Sequence, residues 1–339
     1  MVRRLWIGCL FAAFVYFGSD NPALFADEES VEISRSEAAP VKEPESSKKR
    51  AKLINVAFKT RGGTQLWTDY LHRYGFRIQR NAVTGHWRLL DDGDVRRAWG
   101  TRQQCETVLG ELRSGDDASG DKVDRYVVLL HGLMRSHHSM KPVETALDSG
   151  DCGKVIRFSY ASTRSSIGDH AAALQEVLTG LPPDAQIAFV GHSMGNIVVR
   201  HLIGDLQQEG DPSGILDRCQ CMVMLGPPNQ GAAIARRLAP TGLFGIVTGK
   251  GGLELGPRWD QLVTNLAVPP FPFAIIAGDL SQTPVKNPLV GPSSDFVVAI
   301  DETHLDGHAS FATVPVLHSL LMNDVATQQM VVDFLRSHR

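Results

Sequence analysis

A serine flanked by two glycines stands where an apolar run gives way to a helical pattern. The pentapeptide is Gly-His-Ser-Met-Gly at residues 191–195, with Ser193 at its centre, and the apolar run before it covers residues 187–190. Glycines let two backbone segments pass close together, so a serine between them projects from a sharp strand-to-helix turn. The pattern alone is a hypothesis. In this context it predicts that Ser193 is a nucleophile for acyl transfer.

A serine hydroxyl is a weak nucleophile near neutral pH, so it needs a base to take its proton and an acid to orient that base. When the serine lies on a strand-to-helix turn, the acid and then the histidine follow it along the chain. His318 comes after an apolar stretch and before the last helical pattern. We therefore predict His318 as the base, with His304 and His308 as alternatives. His201 lies two helical turns from the serine, about 12 Å along the axis, and cannot reach back.

The acid has several candidates downstream of Ser193. One follows the apolar run that ends at residue 277, and the others lie between that run and His318. Spacing alone does not choose among these four: Asp279, Asp295, Asp301 and Asp306.

Apolar runs that alternate with helical patterns predict the elements that position these groups. The runs are nearly continuous, which is typical of strands buried on both faces of a parallel sheet. Ser166 to Asp169 has the form of a capping box, and Asn323 is the predicted cap of the last helix. The order predicts an α/β fold with a mainly parallel, doubly wound sheet. The predicted strands cover residues 126–130, 155–158, 187–190, 222–225 and 273–277.

The start of the chain has the composition of a leader and a spacer. Residues 1–26 combine two arginines with a short apolar stretch, which predicts a signal peptide or an N-terminal anchor, since a membrane span needs about 20 apolar residues. Residues 27–52 are charged and rich in Ser and Pro, which predicts a disordered linker. We therefore expect export, to a secreted or periplasmic location, or membrane attachment through the N-terminus.

Aromatic residues concentrate between this linker and the α/β region. We predict that residues 53–118 form a small α+β accessory unit and that residues 119–339 form the α/β domain. Alternating apolar and polar residues predict a hairpin over residues 76–90, and residues 101–112 follow a helical pattern. The aromatic cluster is interpreted as a small core packed on the main domain, with a carbohydrate-binding or envelope-binding surface as the alternative.

The overall charge and the motifs limit the kinds of partner. The 339 residues have a formal net charge of −3, which gives no support to nucleic-acid binding. No segment resembles a phosphate-binding or dinucleotide loop, so no cofactor is predicted. His137 and His138 are adjacent, a spacing for which we expect solvent exposure rather than a metal site. The expected partner is a small molecule.

Cysteines permit two interpretations. Removal of the leader leaves four, an even number that allows disulfides in an exported chain without requiring them; buried free thiols are the alternative. Cys219 and Cys221 alternate with Gln220 in a predicted strand, so their side chains are expected to point the same way and not to bond each other. The four are Cys105, Cys152, Cys219 and Cys221.

Residues 241–256 mix six glycines with apolar side chains. This composition fits a mobile flap over an apolar acyl site. An ordinary long loop fits it equally well.

Several ordered segments resemble bacterial lipase-like α/β-hydrolases over most of residues 124–336. They include an oxyanion loop at residues 131–133 and the elbow around Ser193. A turn after a strand and a histidine segment follow at residues 225–231 and 315–318. Residues 291–298 resemble the Asp-Gly-x-Val stretch that carries the acid in this family. Phe296 stands where the family usually has glycine.

The resemblance implies roles for single residues. It makes Asp295 the acid, with Asp279 in reserve, and it assigns the backbone N–H groups of Leu133 and Met194 to the oxyanion hole. The implied function is hydrolysis of carboxylic esters, by an esterase or lipase, through an acyl-Ser193 intermediate. The substrate would be a small-molecule or lipid acyl ester, with contact to a membrane or lipid interface. Alternatives are an acyltransferase or amidase with the same acyl-enzyme, and an inactive binding module.

Overall fold

The computed structural model describes residues 58–60, 62, 65–113, 123–241 and 243–339. The predicted leader, residues 1–26, and the predicted linker, residues 27–52, lie outside the described residues. In the part of the chain that is described, no helix combines the length and apolar character needed to cross a membrane.

The N-terminal unit is an antiparallel sheet with one helix on it. The hairpin predicted over residues 76–90 is formed by its third and fourth strands. Helix α1 (Arg102–Arg113) buries Cys105 and Leu109 against the sheet. The strands pair in the order β1-β5-β4-β3-β2. They are β1 (Phe58–Lys59), β2 (Trp67–Arg73), β3 (Phe76–Asn81), β4 (Trp87–Leu90) and β5 (Val95–Gly100).

The main sheet has six strands, and every neighbouring pair is parallel. Its strands are β6 (Arg125–Leu130), β7 (Lys154–Phe158), β8 (Gln186–His192), β9 (Cys219–Leu225), β10 (Phe273–Gly278) and β11 (Ser310–Val314). Their spatial order, β11-β10-β9-β8-β6-β7, confirms the predicted doubly wound α/β sheet. The predicted strands are all present, and β11 is an additional edge strand. It lies in the apolar stretch before His318, which was not predicted as a strand, and four of its five residues are not buried.

Helices cover both faces of this sheet. Side chains of strand β6 alternate between the faces. Val127 and Leu129 pack with the helices at residues 141–149 and 325–337, whereas Val128 and Leu130 pack with the helices at residues 167–179 and 194–209. Burial on both faces explains the continuous apolar runs, since each large apolar side chain taken from water contributes about 1.5–3 kcal/mol. The helices are α2 (Lys141–Ser149), α3 (Ile167–Thr179), α4 (Met194–Glu209), α5 (Ile215–Arg218), α6 (Ala233–Leu238), α7 (Leu243–Leu255), α8 (Trp259–Leu262), α9 (Ile300–Thr303) and α10 (Val325–Ser337).

The predicted helix caps are one right and one wrong. The Asp169 N–H donates to Ser166 Oγ at 3.1 Å, and the Ser166 N–H donates to Asp169 Oδ2 at 2.9 Å, which confirms the capping box of α3. Helix α10 is capped by Asp324, whose Oδ2 accepts from the Thr327 N–H at 2.8 Å. The prediction of Asn323 is wrong because that residue closes a preceding 3₁₀ turn, so the helix begins later.

The four described cysteines are buried free thiols. The expectation that Cys219 and Cys221 point the same way is wrong, since they pack in the cores on opposite faces of the sheet. A bulge causes this: Ile187 pairs with Cys219 and the next residue, Ala188, pairs with Cys221, so Gln220 is the extra residue. Burial raises the pKa of the Cys219 thiol to about 12, which keeps it protonated.

Histidine 170 makes folding sensitive to acid. It lies in α3, fully buried beside Tyr160, and neither ring nitrogen has a hydrogen-bond partner among the described residues. Burial is the main cause that lowers its pKa from 6.5 to about 3, and the neighbouring His131 adds to the shift. Between these two pKa values the unfolded chain binds a proton that the folded chain does not. Stability contributed by neutral His170 is therefore lost as the pH falls below 6.5.

We expect His170→Leu to reduce this loss. For pKa values of 6.5 unfolded and about 3 folded, wild-type protein loses about 2 kcal/mol of unfolding free energy between pH 8 and pH 5 through this one group. Urea unfolding at pH 8 and pH 5 measures the change in unfolding free energy between the two pH values for each protein. Any packing cost of leucine that is independent of pH cancels in this change. The exposed His86, changed to leucine, is the control. An identical pH dependence in His170→Leu and wild type would contradict the prediction.

Candidate active site

Ser193 occupies a strained turn between β8 and α4. Its backbone has φ 53° and ψ −122°, a conformation that side-chain-bearing residues rarely adopt. The Ser193 N–H donates to the Leu225 carbonyl at 2.9 Å, which holds the turn against β9. Gly195 is required because a Cβ at that position would lie 2.7 Å from the Leu130 carbonyl oxygen. The structure thus has the sharp turn that the pentapeptide predicts, at the carboxyl edge of the sheet.

His318 and Asp295 form a direct pair near this turn. His318 begins the 3₁₀ turn after β11, and its Nδ1–H donates to Asp295 Oδ2 at 2.6 Å. The His318 backbone N–H also donates to the Asp295 carbonyl, at 2.9 Å. With the proton on Nδ1, the other ring nitrogen, Nε2, is left as an acceptor. This is the tautomer that a base acting on a serine requires.

Asp295 is held from several sides. It is fully buried in the loop after β10, and its Oδ1 accepts from the N–H groups of Val297 and Val298 at 3.0 and 2.7 Å. These hydrogen bonds hold the carboxylate in one orientation. The reserve candidate, Asp279, instead accepts from the N–H and hydroxyl of Ser281 and caps a turn. Of the two, Asp295 lines the same cavity as Ser193.

Phe296, which stands where the resembled family usually has glycine, has a strained backbone. Phe296 has φ 84°, in the left-handed region that glycine adopts without cost. The loop therefore keeps a glycine-like backbone with a side chain that costs roughly 1–2 kcal/mol there. Asn287 Nδ2 donates to the Phe296 carbonyl at 2.6 Å and helps to hold this conformation, and the phenyl ring lines the cavity.

The other predicted histidines lie elsewhere. The His304 ring stacks on Phe311 with ring centroids 4.5 Å apart, and His308 Nδ1–H donates to the Leu305 carbonyl at 2.9 Å. Neither lines the cavity that contains Ser193. The geometry therefore favours His318 over both alternatives.

The two predicted oxyanion donors lie on either side of the serine. Met194 is the first residue of α4, so its N–H has no acceptor within the helix and lies at the positive end of the helix dipole. Leu133 is in the loop after β6 and lines the cavity. This loop contacts Ser193 closely, since a Cβ on Gly132 would lie 3.1 Å from Ser193 Cβ. His131 in the same loop is buried, and its Nδ1–H donates to the Gly132 carbonyl at 2.9 Å.

His192, the residue before the nucleophile, has a contact that the sequence did not reveal. Its Nε2–H donates to the His318 carbonyl at 3.0 Å, and the two rings lie 4.8 Å apart. Burial, and next the neighbouring His318, hold the pKa of His192 well below its usual range, so its ring is neutral. His192 thus fixes the backbone of the predicted base. Its position in the pentapeptide accepts any residue, so the motif contained no sign of this role.

Ser193, Asp295 and His318 line one cavity of about 320 Å³, a size usual for small-molecule sites. Arg135 also lines this cavity, and its Nη2 donates to the Ser319 carbonyl at 3.2 Å. Most of the remaining wall is apolar, and it includes Ile234, Phe244, Leu255, Val298 and Leu317.

One wall of this cavity comes from the segment predicted as a flap or loop, residues 241–256. The flap stays a prediction. The long loop is wrong, because α7 occupies most of the segment. Its apolar side chains Phe244 and Leu255 face the cavity, and this burial overrides the low helix propensity of its glycines. Gly249 interrupts the helix with φ 62° and ψ −153°.

Among the described residues, one group of side chains has metal-ligand spacing. It consists of Asp94, His137 and His138, whose ligand atoms lie within 4.8 Å of one another, outside the cavity described above. Arg77 donates to the Asp94 carboxylate, and a guanidinium there opposes a cation. The expected exposure of both histidines is wrong for His137, which is buried.

Comparison with known proteins supports the resemblance. Residues 121–228, about a third of the chain, match the family described as "Putative serine esterase (DUF676)". This segment contains the predicted oxyanion loop and the elbow, so the match confirms the resemblance to lipase-like and esterase-like proteins. Together with the parallel sheet, it identifies the fold as that of an α/β-hydrolase. No curated protein matches the chain in sequence.

Solved structures with a similar backbone include the mature lipase BlEst2 of Bacillus licheniformis, at 15% identity and a TM-score of 0.46, covering 65% of this chain and 96% of that one. The metagenomic carboxyl esterase MGS0156 has 15% identity and a TM-score of 0.46, with coverages of 64% and 76%. Phospholipase PlaB of Legionella pneumophila has 19% identity and a TM-score of 0.40, with coverages of 53% and 45%. Similarity at this level does not extend to substrates or to the roles of single residues.

Proposed function

We propose that this protein hydrolyses carboxylic esters through an acyl-Ser193 intermediate, with Asp295 and His318 completing a catalytic triad. The observation that carries the proposal is the 2.6 Å hydrogen bond from His318 Nδ1–H to Asp295 Oδ2, in the cavity that Ser193 also lines. The matched serine esterase family points to the same chemistry.

In this proposal His318 Nε2 takes the Ser193 hydroxyl proton as the oxygen attacks the ester carbonyl carbon. Asp295 stabilises the imidazolium that forms, and the N–H groups of Leu133 and Met194 donate to the tetrahedral oxyanion. The intermediate collapses when the carbon–oxygen bond to the alcohol breaks, and His318 gives its proton to the leaving alcohol. Water then attacks the acyl carbon while His318 takes a proton from it. The bond to Ser193 Oγ breaks, His318 gives the proton to Ser193, and the acid is released.

The form of the cavity supports an acyl substrate of moderate length. Its wall is mainly apolar, so burial of a hydrocarbon chain is favourable. A volume near 320 Å³ holds on the order of ten groups the size of a water molecule, each about 30 Å³. A medium acyl chain fits inside, whereas a palmitoyl chain extends beyond the cavity.

A series of p-nitrophenyl esters from acetate to palmitate tests this proposal. We expect kcat/KM to rise with chain length up to roughly eight to ten carbons and to fall for palmitate, because the added methylenes no longer enter the cavity. A fluorophosphonate probe should label Ser193, and Ser193→Ala should remove both labelling and turnover. Absence of labelling in folded wild-type protein would exclude the serine hydrolase. A rate that keeps rising to palmitate at a lipid interface would contradict the chain-length limit.

A further inference from the structure

A side chain next to the N-terminal sheet contacts the oxyanion loop. Gln65 lies just before β2, and its Nε2–H donates to the Arg135 carbonyl at 2.6 Å. Its Oε1 accepts from the Ser162 hydroxyl at 2.9 Å and from the Thr163 hydroxyl at 3.2 Å. Gln65 therefore bridges the loop that contains Leu133 and the segment after β7.

This bridge determines where the Ser162 hydroxyl donates its proton. Ser162 is fully buried, and its Oγ accepts from the Met134 N–H at 3.0 Å. A hydroxyl has one proton, so donation to Gln65 leaves its lone pairs for Met134. Both ends of the Gln65 amide are determined by their partners, because the Arg135 carbonyl can only accept and the two hydroxyls must find an acceptor.

The supported segment needs to be held. Met134 has φ 60°, in the left-handed region that side-chain-bearing residues rarely adopt. It directly follows Leu133, whose N–H is a proposed oxyanion donor. A shift in the Met134 peptide therefore moves that donor, and a misplacement of about 1 Å in a catalytic group can lower a rate about 100-fold.

We infer that Gln65 is a positioning residue, by which the N-terminal sheet holds the oxyanion loop in its catalytic conformation. This inference rests on the proposed function. It gives the accessory unit a catalytic purpose, since the α/β domain supplies the reacting groups but the sheet supplies one of their supports. Oxyanion donors act mainly in the transition state, so loss of this support lowers kcat and leaves KM nearly unchanged.

The nearby Thr68 offers a matched control. Its Oγ1 accepts from the Ala161 N–H at 3.1 Å, so it also joins β2 to the segment after β7. It has no hydrogen bond to the oxyanion loop in the described structure. Thr68→Val thus removes one hydrogen bond between the sheet and the domain and leaves the hydrogen bonds of the oxyanion loop in place.

The test compares Gln65→Met, which keeps the volume of the side chain, Gln65→Glu, which keeps only the acceptor, and Thr68→Val. We expect both Gln65 variants to lower kcat by about 10- to 100-fold at nearly constant KM, and Thr68→Val to stay within about twofold of wild type. Thermal unfolding of Gln65→Met and Thr68→Val measures how much stability each variant loses. Equal loss of kcat in Gln65→Met and Thr68→Val would show that Gln65 only docks the sheet, and would overturn the inference.

Hydrogen–deuterium exchange separates this inference from the proposed function. The Met134 amide should exchange about fivefold faster in Gln65→Met, corresponding to the loss of roughly one hydrogen bond, and at the wild-type rate in Thr68→Val. Unchanged exchange in Gln65→Met would overturn the positioning role even in an active enzyme. If wild-type protein neither reacts with the fluorophosphonate nor cleaves any ester, the proposed function fails, and faster exchange would still establish that Gln65 orders this loop.

Discussion

His318→Ala is expected to lower kcat by about 10⁶, the order of loss when the histidine of a serine triad is removed. Without the imidazole, no other group described in the cavity is placed to accept the Ser193 hydroxyl proton as the oxygen attacks the ester. The Nδ1 proton of His318 is fixed by Asp295 and its carbonyl accepts from His192, so the ring is oriented before substrate arrives. Steady-state hydrolysis of a p-nitrophenyl ester and the rate of fluorophosphonate labelling measure the loss.

The control for this experiment is His308→Ala. His308 donates to the Leu305 carbonyl and does not line the cavity, so we expect the wild-type rate from this variant. KM should change little in His318→Ala, because the apolar wall that receives the acyl chain is untouched. Turnover of His318→Ala near the wild-type value, with loss in His308→Ala, would move the base to His308.

The central sheet could be predicted because its signal is local. The strands β6, β8, β9 and β10 are buried on both faces, so each contains an apolar run. The edge strand β11 has one neighbour and little burial, and Ser310 and Thr313 make its apolar run short. The bulge at Gln220 could not be foreseen, because it depends on the register between β8 and β9 and not on the sequence of either strand.

The candidate site also contains residues that the sequence predicts and residues that it does not. Ser193 was recognisable because strand, turn and helix are adjacent in the chain. The choice of Asp295 over Asp279 needed the resemblance, since both aspartates follow β10 and only the folded loop shows which carboxylate meets His318. Gln65 gave no sign at all, because its partners lie 70 to 98 residues away.

Asp295→Asn is expected to lower kcat by about 10⁴, the order found when the same change reverses the histidine tautomer in a Ser-His-Asp triad. Asp295 accepts three hydrogen bonds through its carboxylate, from His318 Nδ1 and from the N–H groups of Val297 and Val298. An amide cannot accept all of these, because one of its two ends is a donor. If its NH₂ group faces His318, the ring must accept at Nδ1 and carry its proton on Nε2, where the serine needs an acceptor.

Asp279→Asn is the matched comparison, since it makes the same chemical change in the other aspartate after β10. Within the described part of the chain its carboxylate accepts from Ser281 alone, so we expect kcat within a fewfold of wild type. Circular dichroism and thermal unfolding of both variants show whether the fold is kept. A larger loss of kcat in Asp279→Asn would assign the acid to Asp279. It would also mean that the buried pair of Asp295 and His318 stabilises the loops without taking part in the reaction.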